Sequence, residues 1–547
     1  FDWCYGYLTT SERSTFGNAL AAGGLARINA ENWDQMNNYH SKVSRLREFA
    51  YPGIALYGAG VADDAAETLC DMFYEHTYGS SHVLCCLNEI ANDGSYFQGG
   101  YNESGLVSKF REACDVWATA TDQNPFDDST NLQNLASYLL YETGARSGPG
   151  GSARLRGSRQ GDTHEHASSE AVHRLALYDL ASRYQDRRAQ WMADAIDAQG
   201  LGYVSSYDRW KIIVYKDTSL SPLPPTDLPT ARHFSGIGTV YMRSGWDLSE
   251  SSSDIYAVFR CETYPAGHTH AHQNHFLIAR GGDLLAVDSG TYDSTVSNHH
   301  FNYFERTIAH NCMTIYNSSE STFGSRSNDG GQIPPSLYDH GTFCGDASQP
   351  GYDRGGITAF QDYGAFTVTK GDATAAYAPG KVDLVVREFV HVKPDVFVIL
   401  DRVNATSAAF QKKWLIHSIN EPSVAGNLIT IQEGESKLFV RTLLPAGVTL
   451  AKVGGSGHEF DVNGVNYAPS TTPSEDAGSW RVEVSPTQTS EEELFLHVLY
   501  VGASSEPSMP EVTLVQTENA IGAQVGEDLV LFSLTGGAVN SITYEYQ

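Results

Sequence analysis

The sequence predicts a multidomain α+β protein in which helical hairpins come first and a long antiparallel β region follows. Up to about residue 200, apolar residues recur at the spacing of amphipathic helices. Beyond residue 230 the apolar period drops toward two, which is typical of strands. Four prolines lie between the two regions, within residues 218–229, and mark a linker. The 547 residues suffice for two to four domains at about 100–200 residues each.

Taken in order, the helical segments are amphipathic and are joined by glycine-containing turns. Asp63 and Asp64 open one of them, as the helix dipole favours. Consecutive helices of this kind predict hairpins packed side by side. The expected helices cover residues 17–30, 61–78, 105–120, 130–141 and 168–198.

The strand candidates are β-branched and aromatic, with Gly, Asn and Asp at their ends. They cover residues 255–260, 274–280, 283–288, 366–370, 384–392 and 396–401, and strands resume from 480 to 546. A softer break lies near 454–457. We therefore expect a helical domain over 1–217, a central antiparallel β domain over 230–453 and a smaller β domain over 454–547.

Charge and composition exclude several classes of protein. With 65 acidic and 36 basic side chains, the formal charge is −29, which argues against a general binder of nucleic acid or anionic membranes. The longest apolar runs, such as 396–400, are far shorter than the roughly 18 residues of a membrane span. The eight cysteines are too few for a disulfide scaffold and form no CxxC pair, so a zinc ribbon has no support.

The densest chemical signal is the segment GHTHAHQNHF at residues 267–276. On a strand, His268, His270 and His272 would project from one face. Three neighbouring imidazoles are costly unless they bind metal, pair with acids or transfer protons. Asp288 and His310 could complete a site for Zn²⁺ or a similar divalent ion. The alternative is a solvated histidine-rich loop, which the apolar strand residues that follow disfavour.

These residues also carry a resemblance. HTHAHQNHFLIARGGDLLAVDSG, followed by RTIAHN, resembles the signature of heparinase II/III-like polysaccharide lyases. The likeness extends to residues 1–5, 93–101, 387–403, 413–418 and 454–467. It implies an α/α toroid, then an antiparallel β-sandwich and a smaller β domain. Because the helical part is short for a complete toroid, residues before Phe1 are expected to be missing.

The resemblance also implies roles for individual residues. His270, Asp288 and His310 match the metal ligands, with Zn²⁺ the expected ion. One feature departs from the family pattern, since His272 stands where the motif usually has Asp. The other matches lie around the substrate: His268 as the catalytic histidine, Tyr101 as the catalytic tyrosine, His40 with Asn38 as the groups that neutralise the substrate carboxylate, and Gln98 as a substrate contact.

The implied reaction is β-elimination in a uronic-acid polysaccharide. It removes the C5 proton and expels the O4-linked sugar, so a group must neutralise the carboxylate while a base and an acid act. Tyr101 and His268 are the candidates for base and acid, and the sequence leaves their order open. Tyr215 is the reserve candidate for the tyrosine.

A basic stretch in this acidic chain points to an anionic partner. Guanidinium groups bind carboxylate and sulfate in bidentate fashion, and no acidic residue interrupts the stretch. We expect a loop that contacts a polyanion; the alternative is a surface loop that happens to be basic. The arginines are Arg146, Arg154, Arg156 and Arg159.

We therefore expect a secreted or periplasmic carbon–oxygen lyase whose partner is an anionic polysaccharide, without nucleic-acid or membrane partners. Alginate is the first choice, because the acidic surface suits a saline habitat. Heparin or heparan sulfate and chondroitin or hyaluronan are the alternatives. A non-catalytic polyuronate-binding protein is the competing class. A metal-dependent hydrolase is a third reading, but it would need a carboxylate base near an open metal position.

Overall fold

The computed structural model divides the chain into two compact units. The first comprises mainly residues 1–140 and 167–223, and the second comprises 141–166, 224–338 and 350–547. The residues that the structure describes are 2–30, 43–79, 83–96, 105–147, 153–156, 161–162, 169–198, 209–249, 251–263, 268–320, 324, 326–335 and 354–534.

The first unit is helical, as the apolar spacing predicts. Within the described residues, none of its helices combines the length and apolar character that crossing a bilayer requires. The helices are α1 (Thr10–Ala30), α2 (Arg47–Leu56), α3 (Asp63–Tyr78), α4 (Val83–Ile90), α5 (Arg111–Ala120), α6 (Pro125–Asp128), α7 (Thr130–Glu142), α8 (Ser169–Tyr184), α9 (Arg187–Ala198) and α10 (Arg209–Tyr215).

One predicted helix is two helices. The expected helix over 168–198 is interrupted between α8 and α9, where Gln185 adopts a left-handed φ of +53°. Asp186 then caps α9, because its Oδ1 accepts hydrogen bonds from the backbone N–H groups of Arg188 (2.9 Å) and Ala189 (3.2 Å). The break at Gln185 is therefore followed directly by Asp186, the N-cap of the second helix.

The second unit consists largely of antiparallel sheets, which confirms the predicted class. The sheet that leads to the histidine segment has the order β3 (Ala231–Phe234), β4 (Thr239–Arg243), β5 (Ile255–Arg260), β6 (His275–Arg280) and β7 (Asp283–Ala286). Another has the order β17 (Val448–Gly454), β20 (Trp480–Pro486), β13 (Gln411–Ser418) and β8 (Met313–Tyr316).

The largest sheet has eight strands in the described residues. Its order is β14 (Ser423–Ala425), β15 (Leu428–Glu433), β16 (Ser436–Leu444), β21 (Glu492–Ala503), β12 (Val396–Ala405), β11 (Val382–Val392), β10 (Phe366–Asp372) and β9 (Gly356–Asp362). The smaller sheets are β1 (Gly144–Ser147) with β2 (Ala153–Arg156), β18 (Asp461–Val462) with β19 (Val465–Asn466), and β22 (Val512–Gln516), β23 (Ala520–Val525) and β24 (Asp528–Ser533).

β12, in the interior of the eight-stranded sheet, is buried on both faces, which explains why its first five residues are all apolar. Phe397 and Ile399 point into the core shared with the sheets of β3–β7 and β13. Val398 and Leu400 point the other way, into a core closed by β22–β24. A strand covered on both sides has no solvent face, so the polar alternation of a one-sided strand is absent.

The predicted domain boundary at 454 does not separate two bodies. β20 pairs with β13 and β17, and β21 lies between β16 and β12. Residues 480–503 therefore complete the central sheets, and β22–β24 form the smaller addition. The helical first unit and the antiparallel second unit match the expectation, whereas the closed toroid and the two-layer sandwich stay predictions.

Candidate active site

The histidine segment is an irregular loop that leads into β6, not the strand that the sequence analysis expected. His268 and Asn274 adopt left-handed φ values of +73° and +64°, which a strand does not contain. The N–H of Ala271 donates to the carbonyl of Glu305 at 2.9 Å instead of joining a ladder. The imidazoles are therefore brought together by the contacts of the loop with other segments, and not by side-chain alternation along a strand.

Asp162 is the main partner of this loop. Its Oδ2 lies 2.8 Å from Nδ1 of His268, and its Oδ1 lies 2.9 Å from Nε2 of His270. Its backbone N–H also donates to the carbonyl of His268 at 3.0 Å. The preceding Gly161 has a φ of +58°, and a Cβ there would lie 2.0 Å from the His268 carbonyl oxygen, so only glycine fits.

The charge of Asp162 is maintained by its neighbours. Burial raises the pKa of this carboxyl, but the hydrogen bonds from His268 and His270 outweigh burial and lower the pKa below its ordinary value. An ionised carboxylate only accepts hydrogen bonds, so Nδ1 of His268 carries the proton and Nε2 carries the lone pair of the neutral ring. His268 keeps 16% of its side chain exposed, whereas His270 keeps 2%. His268 is thus positioned by a buried group and remains accessible.

A second cluster lies beneath His268. His270, His272 and His310 are buried, and one ring nitrogen from each lies within 4.8 Å of the other two. Burial lowers the pKa of His270 to about 4 and also lowers the pKa of His272. The imidazoles of His270 and His272 are therefore neutral near pH 7, which is the form that binds a metal ion.

The three predicted metal ligands are divided between two groups. His270 belongs with His272 and His310, whereas Asp288 belongs with His275 and His310. Oδ1 of Asp288 lies 2.7 Å from Nδ1 of His310 and 3.0 Å from Nε2 of His275. Although burial raises the pKa of Asp288, these two imidazoles hold it well below its ordinary value.

The cluster fits a divalent cation. Nδ1 of His272 and Nε2 of His310 are buried and have no hydrogen-bond partner among the described residues. Neutral imidazole nitrogens are preferred ligands of Zn²⁺ and related ions, and an orphaned buried nitrogen is costly without one. The sequence-based expectation of a divalent site at these histidines therefore has a structural basis.

Residues 387–403, which also carry the resemblance, stabilise the histidine loop through Arg387. Arg387 of β11 is fully buried and forms ion pairs with Asp401 of β12. Its Nη1 donates to the carbonyls of Asn274 at 2.6 Å and Asn311 at 2.7 Å. The side-chain amide of Asn311 in turn donates to the carbonyls of Phe276 and Val287. Both ends of the site are thereby tied to the eight-stranded sheet.

The arginine-rich stretch forms a hairpin within the second unit. β1 pairs with β2 in a register that sets Arg146 opposite Arg154. Arg156 follows two residues after Arg154 on the same strand. The remaining predicted site residues lie outside the described residues: Asn38, His40, Gln98, Tyr101 and Arg159.

The reserve candidate Tyr215 is poorly suited to act as a base. Its hydroxyl donates to Asp115 at 3.4 Å, and the residue is buried, with only 6% of its surface exposed. Burial raises its pKa above the ordinary value, despite the guanidinium of Arg111 near its ring. A phenol that binds its proton more tightly is a weaker catalyst near neutral pH.

Two carboxylates of this site, Asp162 and Glu262, were not predicted from the sequence. Asp162 binds His268 and His270, and Oε1 of Glu262 lies 3.3 Å from Nε2 of His272. Asp162 is distant from the histidine segment in sequence, and Glu262 lies just before that segment. Gly161 was the available signal for Asp162, since a glycine before an acidic residue allows the close backbone approach seen here.

Comparisons with known proteins agree with this architecture. The model of the family "Heparinase II/III-like, C-terminal" matches residues 226–495, and a search of curated proteins found no match. The fold resembles a crystal structure of heparinase III with a TM-score of 0.62 and 14% identity, covering 92% of this chain and 66% of that chain. Another heparinase III structure gives a TM-score of 0.60 and 12% identity, covering 92% and 64%.

A third similar structure is the heparan sulfate lyase HepC from Pedobacter heparinus. Its TM-score is 0.54 at 11% identity, covering 92% of this chain and 65% of that chain. The chain thus spans about two thirds of the length of these solved structures. The matched region 226–495 contains the loop of His268 and His270 together with Asp288 and His310. Residues 226–495 belong to the family "Heparinase II/III-like, C-terminal".

Proposed function

We propose that this protein is a polysaccharide lyase that cleaves a heparan sulfate-type glycosaminoglycan by β-elimination. The observation that carries the proposal is His268, which is partly exposed and bound through Nδ1 to the buried carboxylate of Asp162. A histidine held in one tautomer, in a domain of this family, is suited to proton transfer at a sugar.

His268 would work through Nε2. With Nδ1 donating to Asp162, the neutral ring presents a lone pair at Nε2 that can accept the C5 proton, and the protonated ring can give a proton to the leaving O4. The negative Asp162 stabilises the imidazolium that forms in either role. The same carboxylate keeps the ring from rotating, so the reactive nitrogen faces one direction.

The remaining catalytic roles rest on the resemblance. We assign Tyr101 as the partner of His268, so that one is the base and the other the acid. Asn38 and His40 would neutralise the uronate carboxylate and so favour loss of the C5 proton. Gln98 is proposed as a further substrate contact.

Heparan sulfate replaces alginate as the favoured substrate. The similar solved structures are named as heparinase III and heparan sulfate lyase, and none of those reported above is named for alginate. The composition of the β1–β2 hairpin supports an anionic, sulfated partner, because it carries Arg146 and Arg154 with no acidic residue, and guanidinium groups bind sulfate in bidentate fashion. Arg156 and Arg159 would extend this contact along the polymer.

A bound divalent ion would contribute stability to the loop that presents His268. His270 and His310 would hold it, and Zn²⁺ suits their nitrogen ligands. A secreted or periplasmic location is proposed as well. Cys86 is disulfide-bonded, and disulfides persist mainly in oxidising compartments.

The test is a rise in ultraviolet absorbance when purified protein is mixed with heparan sulfate. Elimination creates a double bond conjugated to the carboxylate, whereas hydrolysis does not. Alginate, chondroitin sulfate and hyaluronan, assayed in parallel, test the substrate assignment. Binding of heparan sulfate without any absorbance change would favour a non-catalytic binding protein instead.

A further inference from the structure

We propose that Arg47 and Lys109, with Arg45 beside them, bind a sulfate group of the polysaccharide. These three residues, the basic cluster, lie in the helical first unit, at the start of α2 and on the turn that leads into α5. The site rests on the proposed function, since it takes a heparan sulfate-type polymer as the substrate. It belongs to a different unit from the histidine loop.

Helix α2 meets α5 at a polar contact next to the basic cluster. The hydroxyl of Tyr51 donates to Oε2 of Glu112 at 3.3 Å. Arg47 lies about one turn before Tyr51 on α2, and Lys109 lies less than one turn before Glu112. Burial raises the pKa of Tyr51, and the charge of Arg47 opposes that rise, so Arg47 is close to this contact. Arg47 and Lys109 are therefore presented from two neighbouring helical segments.

The positive charges of the basic cluster repel one another. Burial lowers the pKa of Lys109 below its ordinary value, and the charges of Arg47 and Arg45 lower it further. Among the described residues, Glu48 is the acid that opposes this effect, but its carboxylate already binds Nε of Arg27 at 2.6 Å. Like charges in partly buried positions cost free energy, which a bound anion would recover.

Arg47 and Lys109 are also available to an anion from solution. Neither forms an ion pair with another residue that the structure describes, and both are partly exposed. This is unexpected in a chain with 65 acidic and 36 basic side chains, where carboxylates are abundant. Guanidinium and ammonium groups donate strong, charge-assisted hydrogen bonds to such oxygens. A sulfate group presents three oxygens in different directions, so donors from two helical segments can bind it together.

The turn that carries Lys109 has an unusual conformation. Residues Gly105–Phe110 form a π-helical turn that continues directly into α5. Such turns are rare and occur frequently at functional sites. The side chains of Leu106, Val107 and Phe110 are buried, whereas Lys109 stays partly exposed. The apolar residues of the turn thus anchor it and leave the ammonium group at the surface.

The basic cluster lies close in sequence to residues that the proposed function assigns to the substrate. Arg45 follows His40 by five residues, and Lys109 follows Tyr101 by eight. His40 and Asn38 are assigned to the uronate carboxylate. Sulfate is therefore the anionic group of the polymer that remains for the basic cluster.

The experiment compares heparan sulfate with the same polymer after its sulfate groups are removed and its amines are acetylated. Surface plasmon resonance on immobilised polymer, with short injections in the cold, measures affinity before cleavage is appreciable. Arg47→Gln and Lys109→Gln should each weaken binding of heparan sulfate by about 10-fold, the usual effect of losing a hydrogen bond to a charged group. Both variants should bind the desulfated polymer as the wild type does.

Two further variants control this comparison. Lys109→Arg keeps the charge and should retain most of the affinity for heparan sulfate. Arg187→Gln removes an exposed arginine of α9 that donates to the carbonyl of Ser221, and it should bind like the wild type. Unchanged binding of heparan sulfate by both glutamine variants, or an equal loss for the two polymers, would overturn the proposal.

A second measurement uses the wild-type protein and needs no variant to fold. Lysines are acetylated under mild conditions, and peptide mass spectrometry measures the label at Lys109. Heparan sulfate should protect Lys109, whereas the desulfated polymer should not. Equal labelling with and without heparan sulfate would overturn the proposal. Neither measurement requires cleavage, so protection of Lys109 without any rise in absorbance would support this site and contradict the lyase.

Discussion

Asp162 binds Nδ1 of His268 at 2.8 Å across 106 residues of sequence. The same carboxylate binds His270 through its other oxygen, at 2.9 Å. One buried residue therefore connects the partly exposed histidine with the buried histidine cluster. This arrangement links the orientation of the proposed catalytic group to the stability of the loop that carries it.

Replacement of Asp162 by Asn should lower kcat by about 10–100-fold, because the amide cannot stabilise an imidazolium as a carboxylate does. KM should change little, since Asp162 is buried and does not reach the polymer. Steady-state kinetics on heparan sulfate measures both constants. Asp293→Asn is the control, because the Asp293 carboxylate accepts hydrogen bonds from Ser297 and Ser470. Equal kcat values for the Asp162 variant and the wild type would contradict the proposed catalytic role of His268.

Replacement of Tyr101 by Phe should abolish elimination while leaving the fold intact, because only the hydroxyl group is removed. Tyr215→Phe is the matched control and should retain activity, since the Tyr215 hydroxyl is bonded to Asp115 and its pKa is raised. Absorbance assays and circular dichroism of both variants provide the readout. Residual activity of Tyr101→Phe above about a tenth of wild type would contradict its role, since proton transfer contributes at least about 10²-fold.

Replacement of Arg154 and Arg156 by Ala should raise KM more than it lowers kcat, because remote binding groups contribute mainly uniform binding. The wild-type KM should rise with salt, since the contacts are screened over about 10 Å at 0.1 M. The double variant should show a weaker salt dependence. A double variant at Arg441 and Lys452, which removes two charges elsewhere, controls for net charge. Identical salt dependence of KM for the wild type and the hairpin variant would show that the hairpin does not bind the substrate.

Acid should destabilise the second unit, in part through His391. Burial lowers the pKa of His391 from 6.5 to about 4. Between these values the unfolded chain binds a proton that the folded chain does not, so stability falls as the pH decreases. The stability difference between wild type and His391→Gln should therefore shrink by on the order of 2 kcal/mol from pH 7.5 to 4.5. Urea unfolding of the metal-free proteins measures it, and a constant difference would refute the linkage.

The sequence predicted much of the fold because its signals are local. Helical spacing identified most of the helices in the first unit, and the missed break at Gln185 depends on one residue with a positive φ. The strands 255–260, 384–392 and 396–401 were found because they are rich in β-branched and aromatic residues. The boundary at 454 was misplaced, since strand pairing across the sheets is non-local and no composition change announces it.

The site was predictable only as a set of residue types. The motif brought His268, His270, Asp288 and His310 to attention, but not how they divide into groups. That division depends on Asp162 and Glu262, whose contacts arise from chain folding and not from spacing. The assumption of a strand failed because left-handed residues at 268 and 274 turn the loop away from the ladder.

The most direct test of the account is the reaction itself. Purified wild-type protein is incubated with heparan sulfate. Ultraviolet absorbance is followed over time, and the masses of the products are determined by mass spectrometry. The proposed mechanism predicts rising absorbance and unsaturated products that lack one water relative to hydrolysis products, with a rise about 10–100-fold slower for Asp162→Asn. Saturated products, or an unchanged polymer, would contradict it.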